Sequence, residues 1–188
     1  MMKVVFILIF LFGLYGIAPG QEEFIVLQNE PVDFKVEGFF IKDVTDGRPD
    51  KESIGFVQKG IFKKTKVRAS FKDGLEPAVY YYLEKSLGQD KTTVPVILRI
   101  TRLNISESQS LPVKGRAEVK MEFYREKNGS IGKFYEAEAF VEKPAVNVSK
   151  THEERIREVI ISCLKSFNES DWQSVTPMFF KEREPNNK

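Results

Sequence analysis

Two alternating runs on either side of Asn128-Gly129 constrain this chain more than any other feature of its sequence. Before the pair, Ala117, Val119, Met121 and Phe123 alternate with Arg116, Glu118, Lys120, Glu122 and Tyr124. After it, residues 131–141 set Tyr135, Ala137, Ala139 and Val141 against Phe134, Glu136, Glu138 and Phe140. Side chains of a strand point to opposite faces in turn, so each run has one apolar and one polar face. Asn-Gly readily supplies the two positive φ angles that a two-residue turn between twisted strands requires. The pattern predicts an antiparallel sheet with one wet face and one covered face.

Two helices are available as the cover. Leu75, Ala78, Val79, Tyr82, Leu83 and Leu87 recur at spacings of three and four after Asp73-Gly74, and Gly88 marks a stop. Tyr80, Tyr81 and Tyr82 cannot share one helix face, so at least one should stand at the edge of the buried stripe. In residues 152–167, Ile156, Val159, Ile160, Cys163, Leu164 and Phe167 form a second stripe, with Glu153, Arg155, Arg157, Glu158 and Lys165 expected outside it. Thr151 and Glu154 have the capping-box spacing, and His152, in the first turn, is expected at the surface. Trp172 is expected to close the core. Val94, Val96, Leu98 and Ile100 supply another strand, and residues 39–44 the first one. The expected fold is α+β: an antiparallel sheet of three to five strands with two helices on one face, in the order β, basic β or loop, α, β, β, β, α.

Lys3, the apolar run at residues 4–17 and the small residues Ala18 and Gly20 have the layout of a secretory signal peptide, cleaved after Gly20. The apolar run falls short of the roughly 18–20 residues that a membrane span needs, so no span is expected after cleavage. Residues 21–38 read as an arm or edge strand, because Pro31 cannot donate to a ladder. Residues 39–172 then form one α+β domain, and 173–188 a charged, flexible tail. The 29 basic and 27 acidic residues nearly cancel, so no global field steers the chain to nucleic acid. Its one cysteine, Cys163, excludes an internal disulfide and is expected as a buried small hydrophobe.

One local charge bias stands out. Residues 54–72 carry Lys59, Lys63, Lys64, Lys66, Arg68 and Lys72 without an acid. As a strand, this segment projects Lys64, Lys66 and Arg68 from one face, and Thr65, Val67, Ala69 and Phe71 from the other. Lys63, Lys64, Lys66 and Arg68 are the candidate partner-binding residues, set against a plain solvated face that discourages edge pairing. The preceding turn, Thr45 through Asp50, offers Asp46 and Arg48, which are expected to pair with each other or with nearby backbone amides.

The chemical inventory points away from catalysis. One histidine and one cysteine give no metal-ligand cluster, and no serine stands in a nucleophile elbow. No cofactor, metal or catalytic residue is expected. Asn104, Asn128, Asn147 and Asn168 each begin an N-x-S triplet and would accept glycans in a eukaryotic secretory pathway.

The element order, with V-T-D-G-R at Val44 to Arg48 and I-G-F-V at Ile54 to Val57, resembles small bacterial envelope proteins. These are the YajG-like lipoproteins and the auxiliary lipoproteins of lipid-transport ABC systems, whose folds are similar to that of the lipopolysaccharide-assembly lipoprotein LptE. The resemblance covers residues 39–170, and this chain lacks the lipidation cysteine of those families. It implies an exported, non-catalytic periplasmic module that binds or assembles with an envelope protein or lipid. The alternatives are a carrier of an apolar ligand or lipid, and a secreted eukaryotic glycoprotein.

Overall fold

The computed structural model describes residues 22–59, 65–88, 90–108, 111–144 and 147–179. Along them run β1 (Glu22–Phe24), β2 (Phe39–Asp46), β3 (Phe56–Lys59), β4 (Thr65–Ser70), α1 (Leu75–Leu87), β5 (Val94–Glu107), β6 (Lys114–Lys127), β7 (Ser130–Pro144), α2 (His152–Asn168) and β8 (Met178–Phe179). The class is α+β, as expected. A large sheet has the order β2-β5-β6-β7-β8, and a small one the order β1-β4-β3. Asn128 and Gly129 close the β6–β7 hairpin with φ of 53° and 74°.

The large sheet departs from a purely antiparallel one at β2, which pairs with β5 in parallel. Parallel neighbours need a long crossover between them, and here the crossover holds the β3–β4 hairpin and α1. That hairpin takes the basic segment out of the large sheet. With β1 added in parallel to β4, it builds the small sheet instead.

Three bulges re-aim the strands. The register skips Lys42 in β2, Thr101 in β5 and Phe134 in β7. Each extra residue shifts the alternation by one position. Burial in β5 accordingly passes from Val96, Leu98 and Ile100 to Leu103 and Ile105. Phe134, expected on the polar face, is buried for the same reason.

Both helices bury their stripes in one core with the large sheet: Leu75, Val79, Tyr82, Leu83 and Leu87 from α1, and Ile156, Val159, Ile160, Cys163, Leu164 and Phe167 from α2. Of the tyrosine run, Tyr82 is buried and Tyr81 exposed. Burial pushes the Cys163 thiol up to about 12, with the charge of Glu138 adding to the effect. Trp172 closes the core at the end of α2.

The arm straps the helices. After β1, Gln28 N donates to Glu153 Oε1 (2.6 Å) and Val32 N to Ser86 O (3.2 Å), while Arg157 pairs with Glu30. Asn168 receives Glu37 N at 2.9 Å and donates to Lys35 O at 3.0 Å. Of the expected tail, residues 173–179 are described and end in β8, which pairs with Gly132 and Lys133 of β7. The expected signal peptide and the rest of the tail lie outside the described residues.

The start of α2 corrects three expectations. Thr151 forms no capping box: its hydroxyl donates to Val148 O at 2.9 Å and accepts from Arg155 Nη1 at 2.6 Å. A short 3-10 turn, Ser149–Thr151, leads straight into the helix and takes that hydroxyl out of capping range. His152 and Arg155 are buried rather than exposed. Arg155 is held inside by the Val148 and Lys143 carbonyls as well as Thr151.

Candidate functional site

The outer face of the small sheet gathers the surface residues singled out above. Across it, Arg68 of β4 stands between Glu22 of β1 and Phe56 of β3, and Lys66 lies opposite Gln58. Val57, Val67 and Ala69 point the other way and are buried. Lys66 and Arg68 are exposed, as strand alternation requires. Lys63 and Lys64, of the same candidate set, lie outside the described residues. Phe56, and Phe24 beside Ser70, are each 50% exposed. Arg68 Nη1 meets Glu52 Oε2 at 3.0 Å, but both side chains remain at least half exposed, so the pair is worth little. Lys66 has no ionic or hydrogen-bonding partner among the described residues.

Beside Phe56 is an open hollow of about 380 Å³. Pro49, Gly55 and Phe56 form one wall, and Thr101, Arg102, Leu103, Asn104 and Lys120 of β5 and β6 the other. The bulge at Thr101 makes this corner, where the small sheet meets the wet face of the large one. Gly55 permits the approach: its φ is +122°, and a Cβ there would lie 2.1 Å from Ile105 O.

The turn motif is a buried latch. Arg48 Nε and Nη2 reach Asp46 Oδ1 and Oδ2 at 2.9 and 2.8 Å, Arg48 N reaches Oδ1 at 3.0 Å, and Nη1 and Nη2 donate to Ser53 O and Lys51 O at 2.7 and 3.3 Å. The two side chains are only 4% and 7% exposed. Burial raises the Asp46 pKa, but the Arg48 side chain, its amide and its charge outweigh that and hold the carboxyl below its ordinary value. The latch shapes the loop behind the hollow, and Glu52 of that loop lies beside Arg68. Two regions singled out separately in the sequence therefore meet here.

A second polar group is sealed inside. Glu107 Oε1, at the end of β5, accepts from Ser149 Oγ at 2.7 Å and lies 3.2 Å from His152 Nε2, with both the His152 and Glu107 side chains fully buried. Burial lowers the His152 pKa, Glu107 opposes this, and Arg155 adds to the lowering; the net direction is down. A histidine neutral when folded takes up a proton on unfolding below its ordinary value. Its contribution is therefore fully present above about 6.5 and lost as pH falls. Thermal unfolding should show Tm dropping on acidification through that value, and His152→Gln should flatten this part of the curve. An unchanged slope in the variant would mean that His152 does not titrate between the two states.

Among the described residues, no group of three or more His, Cys, Asp or Glu side chains could hold a metal ion, and no helix is long and apolar enough to cross a membrane. Compared with protein-family models, curated proteins and solved structures, the chain matches none. Sequence reasoning missed the hollow, because its walls come from residues some fifty positions apart. The exposure of Phe56 did have a signal: it is out of phase with Val57, the residue that β3 buries.

Proposed function

We propose that this protein is an exported, non-catalytic binding or assembly module of the bacterial envelope, which engages a protein or lipid partner through the outer face of its small sheet. The observation that carries this reading is the juxtaposition of half-exposed Phe56, weakly paired Arg68 and Lys66, which has no partner among the described residues, beside an open hollow. Apolar area next to exposed positive charge favours a partner with anionic and apolar groups side by side. Support for a non-catalytic role comes from the sealed His152 and from Arg48, whose guanidinium uses four of its five N–H donors inside the turn.

An apolar-ligand carrier is less well supported, because aromatic rings fill the space between sheet and α2 where such a ligand would lie. Phe167 has ring neighbours at 4.3 to 5.7 Å on β2, β6 and β7. For a eukaryotic glycoprotein, a glycan on Asn168 would attach to the same Nδ2 that donates to Lys35 O of the arm. A photocrosslinker placed at position 56 in the producing cell tests the leading reading. One discrete adduct, lost when Lys66→Glu and Arg68→Glu are introduced together, is the expected result. No adduct, or one indifferent to the double reversal, would overturn it.

A further inference from the structure

The two edges of the large sheet are finished differently. On β2, Lys42 bulges, Val44 N is taken by Asp43 Oδ1 at 2.8 Å, and Asp46 N by Glu76 Oε1 of α1 at 2.8 Å. Side chains thus close amides that another strand would use. On β7, β8 covers Gly132 and Lys133, and Arg155 Nη2 takes Lys143 O at 3.1 Å. Between these two closures, residues 134–142 have no strand on their far side among the described residues. At about 3.3 Å per residue this window is roughly 27 Å long. It contains no proline.

The side chains along the window define what fits. On the wet face stand Glu136, Glu138, Phe140 and Glu142; on the inner face Ala137, Ala139 and Val141. Phe140 is 70% exposed. Glu138 uses Oε2 on Arg102, and Glu142 uses Oε1 on Lys114. The other oxygen of each has no partner among the described residues, and these side chains are 66% and 42% exposed. A second copy fits poorly: an antiparallel two-fold pairing centred on any residue from 137 to 140 sets at least one glutamate opposite another, and like charges directly opposite are destabilising.

We propose that this window is a strand-addition site for an extended segment of a partner protein, one face of which carries Lys or Arg at alternate positions and the other small or branched apolar residues. Main-chain hydrogen bonds to β7 supply affinity. The basic face pairs with Glu138 and Glu142, and the apolar face covers Ala139 and Val141. The window meets the wall of the hollow through the Glu138–Arg102 and Glu136–Lys120 pairs, but its exchange test uses the wild-type chain with Lys66 and Arg68 untouched, so either reading can fail alone.

The probe is an end-blocked nine-residue peptide of alternating lysine and valine, with a block-sequence peptide of the same composition as control. Amide hydrogen exchange on the wild-type protein should show protection on peptide addition at alternate positions within 134–142, and none with the control. Reversing two exposed pairs in Glu138→Lys/Glu142→Lys should weaken binding about tenfold. Three results would overturn the proposal: no new protection in 134–142, equal protection by the control peptide, or protection without peptide that grows with protein concentration, which would mean that β7 pairs with a second copy. Because the exchange measurement uses the wild-type chain, it stands even if the variant folds badly.

Discussion

Arg48→Met will destabilise the folded protein by about 3–5 kcal/mol, the usual result of removing one partner of a buried ion pair. A lower urea midpoint at unchanged m-value is the direct reading. The loss arises less from the missing attraction than from what remains: the Asp46 carboxylate, 7% exposed, loses its only contact cation and keeps a backbone amide and the weaker, more distant charge of Lys51. Two further results follow. Asp46→Asn together with Arg48→Met should recover much of the loss, since it removes the stranded charge while leaving an oxygen for that amide. Acidification should also narrow the gap between variant and wild type. With Arg48 present, the Asp46 pKa lies below its ordinary 3.8, so its stabilising contribution holds above that value and is lost as pH falls through the lower folded one. Without Arg48 the burial effect is opposed only by the backbone amide and the weaker charge of Lys51, so the carboxyl protonates at higher pH and the variant sheds its penalty sooner. A loss below about 1 kcal/mol would show that the latch behaves like a surface pair. The Pro49–Gly55 wall of the hollow hangs from this latch, so the variant should also fail in the position-56 crosslinking experiment.

What the sequence disclosed, and what it hid, divides along the range of the interactions. The β6–β7 hairpin, the α1 stripe with its Gly88 stop and the α2 stripe were legible, because each is set by residues a few positions apart. Bulges are not written that way. Thr101 and Phe134 break the period of two only because of the strand they pair with, which is why Leu103 and Ile105 were not anticipated as core and Phe134 was placed on the wrong face. The parallel β2–β5 pairing was hidden for a related reason: alternation gives faces and no strand direction. His152 and Arg155 were misplaced because charge predicts exposure until a buried counterpart such as Glu107, or a set of free carbonyls, is in position to receive them. At the candidate site, the outward face of β4 was legible from alternation. Its neighbours Phe56, Glu52 and the hollow became visible only once the 46–55 loop was folded back on β5.

Phe167→Ala should cost about 3–5 kcal/mol, the range for truncating a buried phenylalanine. The residue is fully buried, and five rings surround it: Phe39 at 4.9 Å, Phe123 at 4.3 Å, Phe134 at 5.7 Å, Tyr135 at 5.4 Å and Trp172 at 5.2 Å. These rings come from β2, β6, β7 and the segment after α2, so little can collapse into the space without moving a strand. Arg125 lies over the same cluster, with Cζ 4.9 Å from the Phe134 ring and 5.4 Å from that of Trp172, so loosening it would also free a cation held on aromatic faces. The first element to respond should be β8, which is held by its pairing to Gly132 and Lys133 and, through Trp172, by this cluster. Red-shifted Trp172 fluorescence and faster amide exchange at Gly132 and Lys133 are therefore expected before global unfolding. Phe167→Leu, which keeps most of the volume, should cost under about 1.5 kcal/mol. If alanine and leucine cost the same, ring contacts rather than filled volume hold the cluster. If alanine costs less than about 2 kcal/mol, the rings around the site can relax into the space.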